Sequence, residues 1–360
     1  MYTFDIDPHA MFEDRTHQFA GFGIPLADID GVRARTTDMW ADAPGGWSFE
    51  WSALAESYAE AADHQLAAYA YGCAHFPCLN TDARIRALAL QLEHYELAAK
   101  NFPVHFERRV LTLPYRGNTI DMPVHLFSTD GNLKGHPVLL AGGGVDTFKM
   151  DFHPFCVALT QGTGMTALAI DLPGTGETSV PLNVHADEVI SGIIDAARTL
   201  GDGRVAHFGL SFGANFSAAS GLSGLVDAAV NIGGPLVDAF AADNLGQLPY
   251  GMRDIVGNAL RLDEPPTLAE LTAAMAGMSR AGLLVAERNS PMMVINGADD
   301  YFVPTSDTLV FGGRPHTEVH LLPDSGHCAM TKIAEVVPMI IGWLRTQFPD
   351  TAVPPTTQEP

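Results

Sequence analysis

The chain has 360 residues, with 20 Lys+Arg against 42 Asp+Glu for a net charge of −22 at pH 7, and 47% of it is hydrophobic. A chain of this length and composition buries a sizeable core in one large domain or two smaller ones, which excludes global disorder. Its acidity argues against nucleic acid and against anionic membrane surfaces, since both need clustered cations. No run of 18 apolar residues is present, and the acidic start MYTFDIDPHAMFEDR lacks a hydrophobic stretch. No transmembrane helix, no secretory signal and a cytoplasmic location are therefore expected. Cys73, Cys78, Cys156 and Cys328 form no CxxC pair and no zinc pattern, so reduced core thiols and no metal are expected.

The first 50 residues read as irregular. From Trp51 to Phe76 the residues Trp51, Leu54, Tyr58, Ala62, Leu66 and Tyr69 recur at helical spacing, which predicts one amphipathic helix ended by Phe76-Pro77. Thr81 is a good N-cap for a second helix, with Ile85, Leu88, Leu92 and Tyr95 as its apolar stripe and Phe102-Pro103 as its end. The two read as a helical hairpin within a region 1–103.

The periodicity then changes. Residues 104–127 alternate like two paired strands joined through Gly117-Asn118. Short apolar runs follow at Val138–Ala141, Ala167–Ile170, Val205–Phe208, Ala228–Ile232, Met292–Asn296 and Val319–Leu322. Helical segments near 151–161, 185–200, 212–222, 304–311 and 332–347 separate them. This alternation predicts an α/β fold, a mostly parallel sheet covered on both faces, over residues 104–348. Residues 235–288 are candidate insert helices, and the Pro- and Thr-rich 349–360 is an expected flexible tail.

The sharpest motif is Gly209-Leu210-Ser211-Phe212-Gly213, a G-x-S-x-G that follows an apolar run and opens a helix. A nucleophile at such an elbow needs small residues on either side, and the helix N-terminus behind it favours a developing oxyanion. Ser211 is the candidate nucleophile. A serine hydroxyl needs a base, and His327, in the loop after the last run, is the candidate; His316 and His320 lie before or within that run. The acid belongs after the preceding run, where Asp299 and Asp300 compete. Asp300 is preferred because it fits G-x-x-D-x-x-V-P through Val303-Pro304. One oxyanion donor is the N–H of Phe212, and the other comes from Gly142-Gly143-Gly144-Val145, with Gly144 and Val145 both open. A nucleotide-phosphate loop fails G-x-G-x-x-G, so no cofactor is expected. Asp171-Leu172-Pro173-Gly174-Thr175-Gly176 reads as a structural turn.

Elbow, acid turn, late histidine and D-x-P-G-x-G together resemble an α/β-hydrolase over residues 104–347. The helical N-terminal region, the Phe-Pro helix ends and Gly143-Gly144-Val145-Asp146-x-x-Lys149 resemble a narrower subgroup. It holds the fermentation–respiration switch proteins, dihydroxypseudooxynicotine hydrolase and fungal hydrolases that shorten pigment polyketides. The resemblance implies that the N-terminal helices cap the active site; Trp40, Trp47, Trp51, Tyr58 and Tyr69 are candidates to line it, with core packing the expected role of most of them. It also implies Val145 as the oxyanion donor, Asp146 as a pocket residue, an extra acid supplied by Asp238 or Asp243, and a possible homodimer. The expected activity is hydrolysis of a small-to-medium carbonyl substrate, a carboxylic ester or a C–C bond next to a ketone, in secondary metabolism or aromatic catabolism. A non-catalytic ligand-binding protein and an acyltransferase are the alternatives.

Overall fold

The computed structural model describes residues 1–351; of the expected tail 349–360, residues 352–360 lie outside the described residues. The described residues form one eight-stranded sheet. Its strands are β1 (His105–Tyr115), β2 (Asn118–Ser128), β3 (Val138–Gly142), β4 (Thr166–Ile170), β5 (Val205–Leu210), β6 (Ala228–Ile232), β7 (Met292–Gly297) and β8 (Thr317–Leu322). They lie in the order β1-β2-β4-β3-β5-β6-β7-β8. β1 and β2 are antiparallel, β2 meets β4 antiparallel, and every later pairing is parallel. The β1–β2 turn residues are Arg116 and Gly117, both at positive φ, so it sits one residue earlier than the sequence suggests; a two-residue hairpin loop that matches strand twist demands this conformation.

All residues of β3 to β7 are buried, which is why these strands read as unbroken apolar runs. Alternate residues feed opposite cores. Val138, Leu140, Leu168 and Val294 face a core built with α7 (Ala186–Leu200) and α8 (Phe212–Leu222). Leu139, Ala141, Phe208 and Ile295 face one built with α6 (His153–Thr163) and α14 (Ile333–Gln347). Between β6 and β7 the candidate insert forms α9 (Ala242–Gln247), α10 (Met252–Ala259), α11 (Leu268–Ala276) and α12 (Ala281–Leu284), and α13 (Thr305–Leu309) follows β7.

The N-terminal region departs furthest from the sequence reading. The first 50 residues hold two helices, α1 (Pro8–Gly21) and α2 (Leu26–Arg35). Asp7 caps α1 by accepting from the His9 N–H, and Pro8 opens it; this start signal outweighs a weak apolar period. The single helix expected at 51–76 is two, α3 (Trp47–Glu60) and α4 (His64–His75). Ala62 adopts φ 60°, and the Asp63 side chain caps α4 through the Leu66 N–H. The alanine-rich period runs through this break and hides it. The last of the five, α5 (Asp82–Ala98), is capped by Thr81 as expected, but its buried face is shifted. Ile85 is 49% exposed, whereas Ala83, Arg84, Ala87, Gln91 and Tyr95 are buried. Arg84 is paid for by donating to the Met39 and Phe76 carbonyls and by lying over the Trp40 ring. Apolar periodicity cannot register a polar face buried against partners supplied from elsewhere.

Candidate active site

The parallel strands point their C-terminal ends to one edge, where the crossover from β4 past β3 to β5 opens a crevice. Ser211 stands between β5 and α8 with φ 54° and ψ −124°, a strained conformation for a residue with a side chain. The elbow is held by the Ser211 N–H donating to the Ile232 carbonyl and the Gly213 N–H donating to the Gly143 carbonyl. A Cβ on Gly209 would stand 2.3 Å from the Gly213 carbonyl oxygen, and one on Gly213 would stand 2.4 Å from the Gly143 oxygen. The glycines of the motif are therefore steric necessities.

The structure brings the three candidate side chains together. His327 Nε2 lies 2.9 Å from Ser211 Oγ, and His327 Nδ1 lies 2.8 Å from Asp300 Oδ2. Asp300 is saturated. Its Oδ1 accepts from the Phe302 and Val303 N–H groups, and its Oδ2 accepts from the Asn296 amide as well as from His327. The rival Asp299 is exposed, and His316 and His320 lie outside this chain of contacts. Asn296 was not anticipated. Its carbonyl oxygen accepts from the Gly297 and Cys328 N–H groups while its amide holds Asp300, so it ties the acid turn to the histidine loop. The available signal was a polar residue ending a buried apolar strand. Cys328 and Ala329, directly after the histidine, both adopt left-handed φ, and this local strain is concentrated where the imidazole must be aimed.

Burial works against ionising Asp300, but the neighbouring imidazole and the hydrogen bonds from His327, Asn296 and Phe302 outweigh it, and the carboxyl stays below its ordinary range. Burial likewise disfavours the His327 imidazolium, but the Asp300 carboxylate bonded to Nδ1 outweighs it and holds the imidazole above its ordinary value.

Ser211 and His327 open onto a small pocket with mostly apolar walls. Its walls come from the oxyanion-side loop (Val145), the elbow, the acid turn (Phe302, Val303) and above all the 235–288 insert, including Phe240, Leu245, Met252 and Met275. No residue of 1–103 lines it. Trp47 and Trp51 are fully buried in the helices' own core with Phe12 and Phe19, and Tyr69 belongs to the same core. The N-terminal region touches the supports of the pocket instead: Arg15 binds Asp146, the Tyr301 hydroxyl donates to Asp14, and Tyr2 binds Asn258 of α10.

The remaining candidates fall into place around it. Gly144 lies against Ser211, and Val145 lines the pocket. Phe212 is the first residue of α8, so its N–H has no partner within the helix. Asp146 is turned to Arg15 and does not line the pocket. Asp238 is exposed and accepts from Ser306 Oγ, and Asp243 is exposed; neither lines the pocket. Lys149 is wholly buried between Asp171 and Glu177, and Asp171 also accepts from the Lys149 and Glu177 N–H groups, so this part of the motif builds the turn. The four cysteines are free and buried.

A mostly parallel sheet of this order with helices on both faces is the α/β-hydrolase fold, and the solved structures that resemble the chain share it. AbyA5 superposes with a TM-score of 0.78 at 21% identity over 90% of each chain. 2,6-Dihydroxy-pseudo-oxynicotine hydrolase gives 0.74 at 22% identity, over 91% of this chain and 94% of that one. The chain belongs to the FrsA-like esterase family, whose pattern it matches over residues 35–315, and it is a hydrolase. Esterase FrsA of Klebsiella pneumoniae (strain 342) is 27% identical over 289 residues, 73% of this chain and 68% of the relative. That of Enterobacter sp. (strain 638) is 26% identical over 310 residues, 79% of this chain and 73% of the relative. No helix among the described residues is long and apolar enough to cross a membrane.

Proposed function

We propose that the chain hydrolyses carboxylic esters of neutral, apolar acyl groups through Ser211, His327 and Asp300. The observation that carries this reading is the chain of contacts from Asp300 to His327 to Ser211, 2.8 Å and 2.9 Å long, at the mouth of an apolar pocket. Ser211 Oγ attacks the ester carbonyl and passes its proton to His327 Nε2. The carbonyl oxygen gains the negative charge, and the N–H groups of Phe212 and Val145 receive it. Val145 is favoured over Gly144 because Val145 lines the pocket beside Ser211 and Gly144 does not. Collapse of the tetrahedral species breaks the C–O bond, and His327 returns the proton to the departing alkoxide. Water, deprotonated by the same imidazole, then releases the acid and restores Ser211.

An ester is favoured over a C–C bond because the family and the curated relatives the chain resembles are esterases. The test is kcat/KM on p-nitrophenyl butyrate against pH. Only neutral His327 accepts the serine proton, and Asp300 raises its affinity for a proton, so activity must fall as pH falls through a midpoint above the ordinary imidazole value of 6.5. Absence of turnover on any neutral acyl ester, or an acid limb set below that value, contradicts the reading.

We also infer that residues 1–103 act as a brace on the pocket's supports. His75 stacks on Phe148 at 4.6 Å, Gln91 donates to Asp151, the Tyr2 N–H donates to Asn258 of α10, and the Trp40 indole N–H donates to the Phe4 carbonyl. Removing 1–103 uncovers this surface, and the expected result is a poorly soluble 104–360 fragment without turnover. A soluble, monodisperse and fully active fragment would show that the helices have another task.

A further inference from the structure

The oxyanion loop carries a carboxylate that the hydrolytic steps do not use. A Cβ on Gly144 would stand 3.3 Å from Ser211 Oγ and 3.4 Å from Asp146 Oδ1. Those two distances bound the separation of the carboxylate from the nucleophile at no more than about 7 Å, a range over which a negative charge acts strongly on another in a half-dry site. Asp146 immediately follows Val145, the proposed oxyanion donor, and its side chain is 7% exposed. Left alone it would oppose the charge that develops on the substrate oxygen.

Arg15, 131 residues away in α1, is bound to it. Its Nη2 donates to Asp146 Oδ2 at 2.9 Å, its Nη1 to Gln18 Oε1 at 3.0 Å, and its Nε lies 2.7 Å from Asp14 Oδ2. The guanidinium lies 5.1 Å from the centre of the Phe76 ring and is 13% exposed. Asp14 in turn accepts from the hydroxyl of Tyr301, the residue after Asp300, at 2.6 Å. One dipeptide of α1 thus reaches the oxyanion loop with its cation and the acid turn with its anion.

We propose that Arg15 is a positioning residue for the hydrolysis, which offsets the charge of Asp146 with a guanidinium it shares with Asp14 and fixes the Val145 N–H toward the oxyanion; this rests on the assignment of Ser211 as nucleophile. Loss of the charge leaves Asp146 buried and unpaired beside the developing oxyanion, a cost felt in the transition state and scarcely in substrate binding.

The test is a double-mutant cycle on the full chain with p-nitrophenyl butyrate. Arg15→Gln, which retains a hydrogen-bonding amide without charge, is expected to lower kcat roughly 10- to 100-fold with KM little changed. Affinity for butylboronic acid, whose boron accepts Ser211 Oγ to form a tetrahedral anion, falls in parallel. Adding Asp146→Asn to Arg15→Gln removes the stranded charge and restores most of kcat. Arg15→Lys, which keeps the charge with fewer donors, lies between. A double variant no faster than Arg15→Gln, or a boronate affinity that does not follow kcat, would overturn the proposal and leave Arg15 as a tether for α1. Ser211→Ala is assayed alongside: if it retains activity the nucleophile assignment has failed, whereas an inactive Ser211→Ala with a flat Arg15 cycle sinks the inference about Arg15 alone.

Discussion

Ser211→Ala is expected to lower turnover by about 10⁴–10⁶-fold, the scale for removing a triad nucleophile. The fold should be unchanged. The hydroxyl's hydrogen bond is to His327, while the elbow is held by backbone bonds from Ser211 and Gly213 that the substitution leaves in place. Alanine also adopts φ 54° with no more strain than serine. Turnover with a purified ester and thermal unfolding should therefore part company, the first collapsing and the second holding. A variant with a tenth of the parent's activity would require another nucleophile.

Asp300→Asn is expected to cost about 10⁴-fold in kcat. The carboxylate accepts four hydrogen bonds and donates none, and an amide has only one oxygen to offer. Whichever way it turns, an NH₂ meets donors: either the Asn296 amide and the Nδ1 proton of His327, or the Phe302 and Val303 N–H groups. The first arrangement drives the imidazole into the wrong tautomer, and the second unties the turn. Asp299→Asn should change kcat by no more than about twofold, since Asp299 is exposed and its carboxylate holds nothing in the site. Steady-state rates for the two variants decide between them, and the reverse ranking would move the acid by one residue.

The strands and the elbow were legible because their signals are local. A fully buried strand must be apolar throughout, and a nucleophile elbow must place glycines where Gly209 and Gly213 meet backbone oxygens. Ser211, His327 and Asp300 were each marked by position at a strand end, so the spatial cluster followed from chain order. What escaped detection depends on partners distant in sequence. Asn296 reads as the polar end of a strand until Cys328 and Asp300 are brought to it. Arg15 carries no local signal, and its partner Asp146 is met only in the folded chain. Ile85 reads as core, yet α5 turns Arg84 and Gln91 inward because Met39, Phe76, His75 and Asp151 satisfy them. The resemblance to capped hydrolases offers the N-terminal aromatics as candidates to line the pocket, with core packing the expected role of most. The wall is instead the 235–288 insert, and Trp47 and Trp51 are consumed by a core of their own.

The most direct test of the central claim is the site of covalent capture. The protein is treated with one equivalent of an alkyl fluorophosphonate, digested with trypsin and fragmented in a mass spectrometer. The expected result is one phosphonyl group per chain, carried on Ser211 within the peptide 205–253, absent from Ser211→Ala and formed far more slowly in His327→Ala. A stoichiometric adduct on any other residue, or full ester hydrolysis with Ser211 unmodified, would contradict the account.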